Sequence, residues 1–296
     1  MQFWQSLALT EMDELIELAK IAEEVGFAGI TISDHLATPR EIRTRYPYTA
    51  DGKPMWETDD DFPDTWVLIA AMAQETTRIR FMPFVYVLPM RDPFSVAKLL
   101  SSAAVLSGDR VVMGVGTGWM EEEFALVQRE FSRRGRRTDE MIEVIGKLLC
   151  GGPVDHEGEF YSFEGVHIAP SPSRPVEIRI GGLNRAALRR AARHDGWLGL
   201  NHTPDEIREI VTFLDDERKS LGRSDRNFDV MIAYYPAAPE SPNARDGGEY
   251  VQFRDVGVDS VNVPPWRYRG LGGVSLDEKR RSLEDFAERY ILPLGN

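Results

Sequence analysis

An α/β fold of the (β/α)8 TIM-barrel type is what this sequence predicts, and three observations carry the prediction. Strand-like runs alternate with amphipathic helical runs along the whole chain, giving eight strand–helix units across 296 residues. One unit is sharply marked. Ile79 to Leu88 reads as a strand, Asp92 and Pro93 open a helix, Gly108 closes it, and Arg110 to Val115 returns as a strand. Strand, helix and strand within about 40 residues make a crossover that demands a parallel sheet. Finally, an open doubly wound sheet, the alternative, would show its phosphate fingerprint near the first strand, and none is there. The nearest run, Gly114-Val-Gly-Thr-Gly-Trp119, puts its third glycine at the fifth place instead of the sixth, and no P-loop lysine follows. The chain therefore reads as one barrel domain over residues 1–296, with insertions after strands two and four.

Taken in order, Phe3 to Leu9 is the first strand. Thr10, with Asp13 in the capping-box place, opens a helix that stops at Gly26. Ala28 to Ile32 is the second strand, and Ser33-Asp34-His35 stands at its C-terminal end. Residues 36–62 form the first insertion, with Tyr46, Tyr48, Trp56 and an acidic run from Glu57 to Asp61. A loop that long inside a compact domain is usually functional or mobile. A helix from Pro63 to Glu75 leads into the marked unit, where Val96, Leu99, Leu100, Ala103 and Ala104 share one helical face. The fourth strand runs into Gly116-Thr117-Gly118-Trp119. Glycines, an indole and acids at a strand's C-terminal end favour an active-site loop over a simple turn.

Helices over Glu121–Phe131 and Thr138–Leu149 flank the basic run Arg133 to Arg137, which reads as a helix junction pairing with nearby acids. Residues 151–175 are the second insertion, a hairpin with strands near Val154 and Phe160–Phe163 and a proline-marked return. Alternation resumes with strand Val176–Ile180, helix Arg185–Arg193, strand Gly196–Gly199 and a helix capped by Thr203-Pro-Asp-Glu206. Strand Phe228–Ala233, a mobile loop from Pro236 to Gly248, a short helix ending at Gly257 and strand Asp259–Val263 follow. A last helix is boxed by Ser275 and Glu278.

A net charge of −13 disfavours nucleic acid and anionic membrane surfaces as partners. The single cysteine, Cys150, excludes an internal disulfide and reads as a buried structural thiol at a helix end. No run of about 18 apolar residues and no basic-plus-apolar leader is present, so a soluble, cytoplasmic enzyme of small molecules is expected.

Two stretches stand where a barrel places its chemistry. His35 ends strand two with Asp34 beside it to orient or charge it, and histidine suits proton transfer near neutrality. Gly181-Gly182-Leu183-Asn184 follows strand five, where bare backbone amides running into a helix suit an anion. His156, His167, His194 and His202 show no spacing that would set a metal site, and no G-x-S-x-G elbow is present. Met82, Phe84, Tyr86 and Leu88 alternate along strand three as barrel filling, a wall that a flat aromatic cofactor would also use.

A set of motifs now carries a resemblance. They are Glu24-Val-Gly-Phe27, Ser33-Asp-His-Leu36, Tyr46-Pro-Tyr48 with Asp51-Gly52, Thr77-Arg-Ile-Arg80, Leu88-Pro89 through Pro93, and Ala97-Lys98. Leu106-Ser-Gly-Asp-Arg110, Gly114 to Trp119 with Glu123-Phe124, Arg136-Arg-Thr-Asp-Glu140, Gly158-Glu-Phe-Tyr161, Ile180-Gly-Gly182 and Ala191 to Trp197 complete the set. Together they resemble the luciferase-like monooxygenase superfamily, in its branch of deazaflavin (coenzyme F420)-dependent oxidoreductases.

The resemblance implies a bacterial-luciferase-like barrel, a homodimer, and F420 as cofactor, with FMN as the alternative. It places the ring against a bulge with a non-prolyl cis peptide near Pro83, Phe84 and Val85, beside Gly116 and Gly118. The phosphate tail falls to Gly181, Gly182, Asn184 and the following helix, and to the turn at Gly199 and Leu200. His35 with Asp34 faces the reactive ring. Trp119 stands where the family's sugar-phosphate dehydrogenases carry a glutamate, so that proton-handling pair is incomplete. With Tyr46 and Trp66, the Trp119 indole forms a wall that favours an apolar or aromatic substrate. The implied reaction is hydride transfer at deazaflavin C5. The alternatives are an FMN-dependent monooxygenase and a non-catalytic flavin carrier.

Overall fold

A computed structural model describes residues 1–235, 248–266 and 273–295. Strands β1 (Gln2–Ser6), β2 (Gly29–Ile32), β3 (Arg80–Pro83), β4 (Tyr86–Val87) and β5 (Val112–Gly116) come first. The hairpin β6 (Val154–Glu157) and β7 (Ser162–Val166) follows, then β8 (Glu177–Gly181), β9 (Gly196–Leu200), β10 (Asp229–Ala233) and β11 (Ser260–Val263). All but the hairpin join one parallel sheet in the order β3-β2-β1-β11-β10-β9-β8-β5-β4. β3 and β4 are two halves of the expected third strand, so nine strands supply the eight staves of the predicted barrel. Pairing of β4 with β5 and a lone bridge from Phe81 to Val111 close it.

The helices lie outside the sheet: α1 (Leu15–Val25), α2 (Thr65–Glu75), α3 (Pro93–Leu106), α4 (Glu121–Leu126) and α5 (Arg134–Leu149). The second half adds α6 (Arg185–Ala191), α7 (Pro204–Ser220), α8 (Gly248–Asp255) and α9 (Leu276–Phe286), the last running on into a π turn. Side chains alternate across each strand. Phe3, Ile30, Phe81, Met113, Ile180, Trp197, Val230 and Val261 turn outward onto the helices. Trp4, Met82, Val112, Leu198 and Met231 fill the barrel instead. Arg179 lies among the inward residues, satisfied by Asp229 at 2.8 Å and Glu177 at 3.1 Å. At the C-terminal rim the inward positions include the small residues Ser6, Gly116, Gly181 and Ala233 beside Thr31, Leu200 and Asn262, and these form the floor of the mouth.

Several details depart from the sequence reading. Thr10 caps nothing. Its hydroxyl faces the Ala8 carbonyl, a short 3-10 turn over Met12–Glu14 intervenes, and α1 ends as expected with Gly26 at φ 98°. α4 stops at Leu126 and α5 starts at Arg134, so the basic run forms its first turn. Positive charge there opposes the helix dipole, yet Glu159 pairs with both Arg133 and Arg136, so the expected acid pairing holds. Leu99 points outward, unlike its expected face-mates. Cys150 is exposed and not buried, because the chain leaves α5 there and its thiol turns back only to the Gly146 carbonyl. The expected mobile loop falls at residues 236–247, outside the described residues.

His194 gives the fold a pH signature. Burial pulls its imidazole down to about 4, from 6.5. The unfolded chain therefore takes the proton first, and stability falls as pH drops from 6.5 toward 4. In urea melts, wild type should lose about 1 kcal/mol more than His194→Gln between pH 7.5 and pH 5, allowing for partial exposure of the ring. Parallel losses in both proteins would assign the acid sensitivity to other groups.

Candidate active site

The end of β2 delivers Asp34 and His35 to the rim, and the structure gives them separate tasks. Asp34 does not orient His35. Its carboxylate accepts from the Val87 amide at 2.7 Å and from Arg91 at 2.6 Å. Arg91 also donates to the Val87 carbonyl at 2.9 Å and lies over the Tyr86 ring. Burial pushes the Asp34 carboxyl up, while Arg91 and the Val87 N–H pull against it. Asp34 thus fastens strand two to the broken third strand.

His35 has a different carboxylate. Its Nδ1 lies 2.9 Å from Glu123 Oε2, and Glu123 Oε1 accepts from the Leu36 amide at 2.8 Å and the Ala37 amide at 3.3 Å. Glu123 is only 3 % exposed and sits in the first turn of α4. A carboxylate accepts and does not donate, so Nδ1 carries the hydrogen and Nε2 is left to take or give a proton. The sequence places Glu123 in a family motif and suggests no role for it. The signal that could have found it is an acid beside an apolar residue at a helix start, a place that normally keeps acids solvated.

Glu122 anchors the first insertion further along. It accepts from the Arg43 amide at 2.8 Å, the Thr44 amide at 3.0 Å and the Thr44 hydroxyl at 2.8 Å. Burial would raise its carboxyl, but these bonds win and hold it below the usual range. The insertion so pinned folds its aromatic residues over His35. Trp56 lies 4.8 Å from the imidazole centroid and Phe62 lies 4.9 Å away. Tyr46 joins Trp56 at 5.2 Å and Trp119 at 5.0 Å, with Tyr48 behind it. Trp119 stands 6.2 Å from His35. Trp56 and Phe62 were not among the expected site residues, because nothing in the sequence of the insertion shows which of its rings turn toward His35. Trp66, expected in this wall, lies instead in the helix–sheet layer against Tyr86.

Between β3 and β4 the Phe84–Val85 peptide is cis, at the place the resemblance assigned. Val85 sits tightly between two expected glycines. A Cβ on Gly116 would come within 2.4 Å of its side chain, and one on Gly181 within 2.9 Å. Gly118, at φ 78°, packs under Val87 and Phe124. The bulge of Pro83, Phe84 and Val85 therefore lies against the floor formed by Gly116 and Gly181.

The two expected tail turns also meet. The indole of Trp197 donates to the Gly182 carbonyl at 2.9 Å, tying the strand-five turn to β9. A Cβ on Gly199 would strike that indole at 2.3 Å, which is why glycine stands there. The His202 ring, just past Leu200, lies 5.5 Å from Trp197, with Nε2 buried and unpaired. Burial pulls this imidazole down. Asn184 caps α6 by accepting from the Ala187 amide at 2.9 Å. An unpaired ring nitrogen beside a glycine turn fits a group that brings its own acceptor oxygens. Among the described residues no three His, Cys, Asp or Glu gather as a metal site, and no helix is long and apolar enough to cross a membrane.

Comparison with known proteins adds four findings. The family model described as luciferase-like monooxygenase matches residues 2–246. An uncharacterized protein of Mycobacterium tuberculosis is 41% identical over 294 residues, covering 98% of this chain and 99% of that protein. The F420-dependent glucose-6-phosphate dehydrogenase of Microbacterium testaceum is 29% identical over 234 residues, covering 76% of this chain and 65% of the dehydrogenase. Among solved structures, an F420-dependent secondary alcohol dehydrogenase in complex with an F420–acetone adduct superposes with a TM-score of 0.77. It shares 15% identity and is covered to 99%, against 100% of this chain.

Proposed function

Because the chain belongs to the luciferase-like monooxygenase family, and so is an oxidoreductase of a flavin or deazaflavin cofactor, we propose that it is F420-dependent. In this reading a hydride passes between deazaflavin C5 and a small organic substrate. The observation that carries the proposal is the His35–Glu123 pair just past the end of β2, at the C-terminal rim of the barrel. A hydride moving at a carbon needs a proton moved at the neighbouring oxygen, and His35 Nε2 is the group free to move it. A bound deazaflavin supplies the hydride chemistry, and the protein supplies the rest. The small residues of the floor and Val85 support the ring. The turns at Gly182 and His202 hold the tail. The aromatic cluster keeps water away.

Mixing the purified protein with F420 and with FMN, and measuring affinity and turnover for each, tests the reading. Tight FMN binding with oxygen consumption would convert it to a flavin monooxygenase. Tight binding without turnover of any acceptor would make it a carrier.

Gly182 offers a second check. It holds φ 133°, and an added Cβ would meet the Ala187 Cβ at 2.7 Å. Gly182→Ala should lower stability by about 1 kcal/mol. It should also weaken F420 by about 10-fold or more, while the deazaflavin fragment without its phosphate keeps its affinity. Unchanged affinity for the intact cofactor would move the phosphate site elsewhere.

A further inference from the structure

The first insertion is fastened at the mouth by one short helix, and the way it is fastened bears on how His35 works, an inference that rests on the reading above. Among the described residues, every hydrogen bond that leaves residues 36–62 ends on Glu121, Glu122 or Glu123, in the first turn of α4. Inside the insertion other bonds shape its own turns, such as the Tyr46 amide donating to the Gly52 carbonyl at 2.8 Å. Its rings lean on the mouth through Trp56 and Phe62 against His35 and through Tyr46 against Trp119. α4 in turn depends on the insertion. It has six residues, too few to hold a helix alone, and its N-cap, Met120, makes no side-chain bond to it. Thr44 supplies the missing oxygen from outside. Its hydroxyl accepts from the Glu121 amide at 3.3 Å and donates to Glu122 Oε2 at 2.8 Å, while Glu122 Oε1 accepts from the Thr44 amide at 3.0 Å. This is the reciprocal logic of a capping box, shared between two segments that lie 78 positions apart.

The next residue of the same turn is Glu123, which accepts from His35 Nδ1 and from the Leu36 and Ala37 amides. Glu122 faces the insertion and Glu123 faces the imidazole, so two neighbouring carboxylates on one turn hold the two sides of the mouth. They cannot move independently, because fraying of an uncapped first turn displaces both. We propose that Thr44 and Glu122 form a latch that couples closure of the insertion to the tautomer of His35. With the latch made, α4 is capped, Glu123 is in place, and Nε2 of the neutral ring is left without hydrogen. With the latch broken, the first turn of α4 frays and Glu123 leaves Nδ1 together with the two amides. The hydrogen of the neutral imidazole then settles on either nitrogen, and part of the population loses its acceptor at the mouth. Thr44 does not bond to His35. It is a positioning residue that acts on the imidazole through α4.

Amide hydrogen exchange and nitrogen-15 histidine spectra of the full chain, both without cofactor, test this in Thr44→Val and Thr44→Ser. Valine keeps the branched shape and removes the hydroxyl, and serine puts the hydroxyl back. In Thr44→Val the amides at 36, 37, 43 and 44 should lose protection together, by about 5-fold or more, the usual effect of a lost N-cap. The His35 signals should move from the Nδ1–H form toward a mixture of the two tautomers. Thr44→Ser should restore both, which a mere filling of space by residue 44 would not require. Glu122→Ala removes the other half of the latch from an accessible side chain and should repeat the Thr44→Val result, so the test stands even where valine fails to fold. Loss of protection confined to 43 and 44, or unchanged His35 signals in Glu122→Ala, would overturn the proposal. Neither readout needs F420 or turnover. A chain that shows these changes but binds no F420 sinks the functional reading and leaves the latch standing. F420-dependent turnover beside unaltered exchange and tautomer in the variants does the reverse.

Discussion

Replacing His35 by asparagine is expected to cut turnover by about 10²–10⁴-fold while leaving cofactor affinity within a few-fold of wild type. Asparagine is smaller than the imidazole and its amide can still donate to Glu123, so the insertion keeps that anchor. What disappears is Nε2, the nitrogen left free when Nδ1 is given to Glu123. No neighbour replaces it. Glu122 is occupied by Arg43 and Thr44, and Asp34 by Val87 and Arg91. The measurement is kcat with saturating F420 and substrate, beside a cofactor titration. Full turnover in the variant would reduce His35 to a member of the ring cluster and hand the proton to the substrate or solvent.

The barrel was legible because its signals are local. Pro93 and Asp92 start α3 as expected, with the Asp92 carboxylate accepting from the Ser95 amide at 2.9 Å. The capping boxes at Thr203 and Ser275 are both present. Strand order follows from alternation and crossover handedness. The site was legible by position only. Strand ends placed His35 and the glycines of both turns, but partners across the mouth are set by tertiary packing. Asp34, the nearest acid to His35 in sequence, is taken instead by the Val87 amide and Arg91, partners that local sequence does not reveal. Glu123 reaches the imidazole from 88 positions away. Trp66 misled for the same reason. An indole in the first turn of α2 looks available until the helix docks and turns it inward.

The companion experiment is Glu123→Gln. The side chain keeps its size and can still accept from the Leu36 and Ala37 amides through one oxygen. Its other arm becomes an NH2, which meets an Nδ1 that also carries hydrogen. Two donors 2.9 Å apart repel, and the imidazole relieves this by moving its hydrogen to Nε2. The nitrogen facing the mouth then holds a proton in the neutral ring and cannot accept one. In serine proteases, losing the correct tautomer of the catalytic histidine in this way costs about 10⁴-fold. A partly open mouth should show less, so kcat is expected to fall by about 10²–10³-fold with the Kd for F420 unchanged. Nitrogen-15 NMR of labelled histidine reports the tautomer directly and needs no substrate. A shift of the His35 signals to the Nε2–H form, together with the lost turnover, identifies Glu123 as the residue that sets the tautomer. Unaltered signals with normal kcat would leave Glu123 as no more than the anchor of residues 36 and 37.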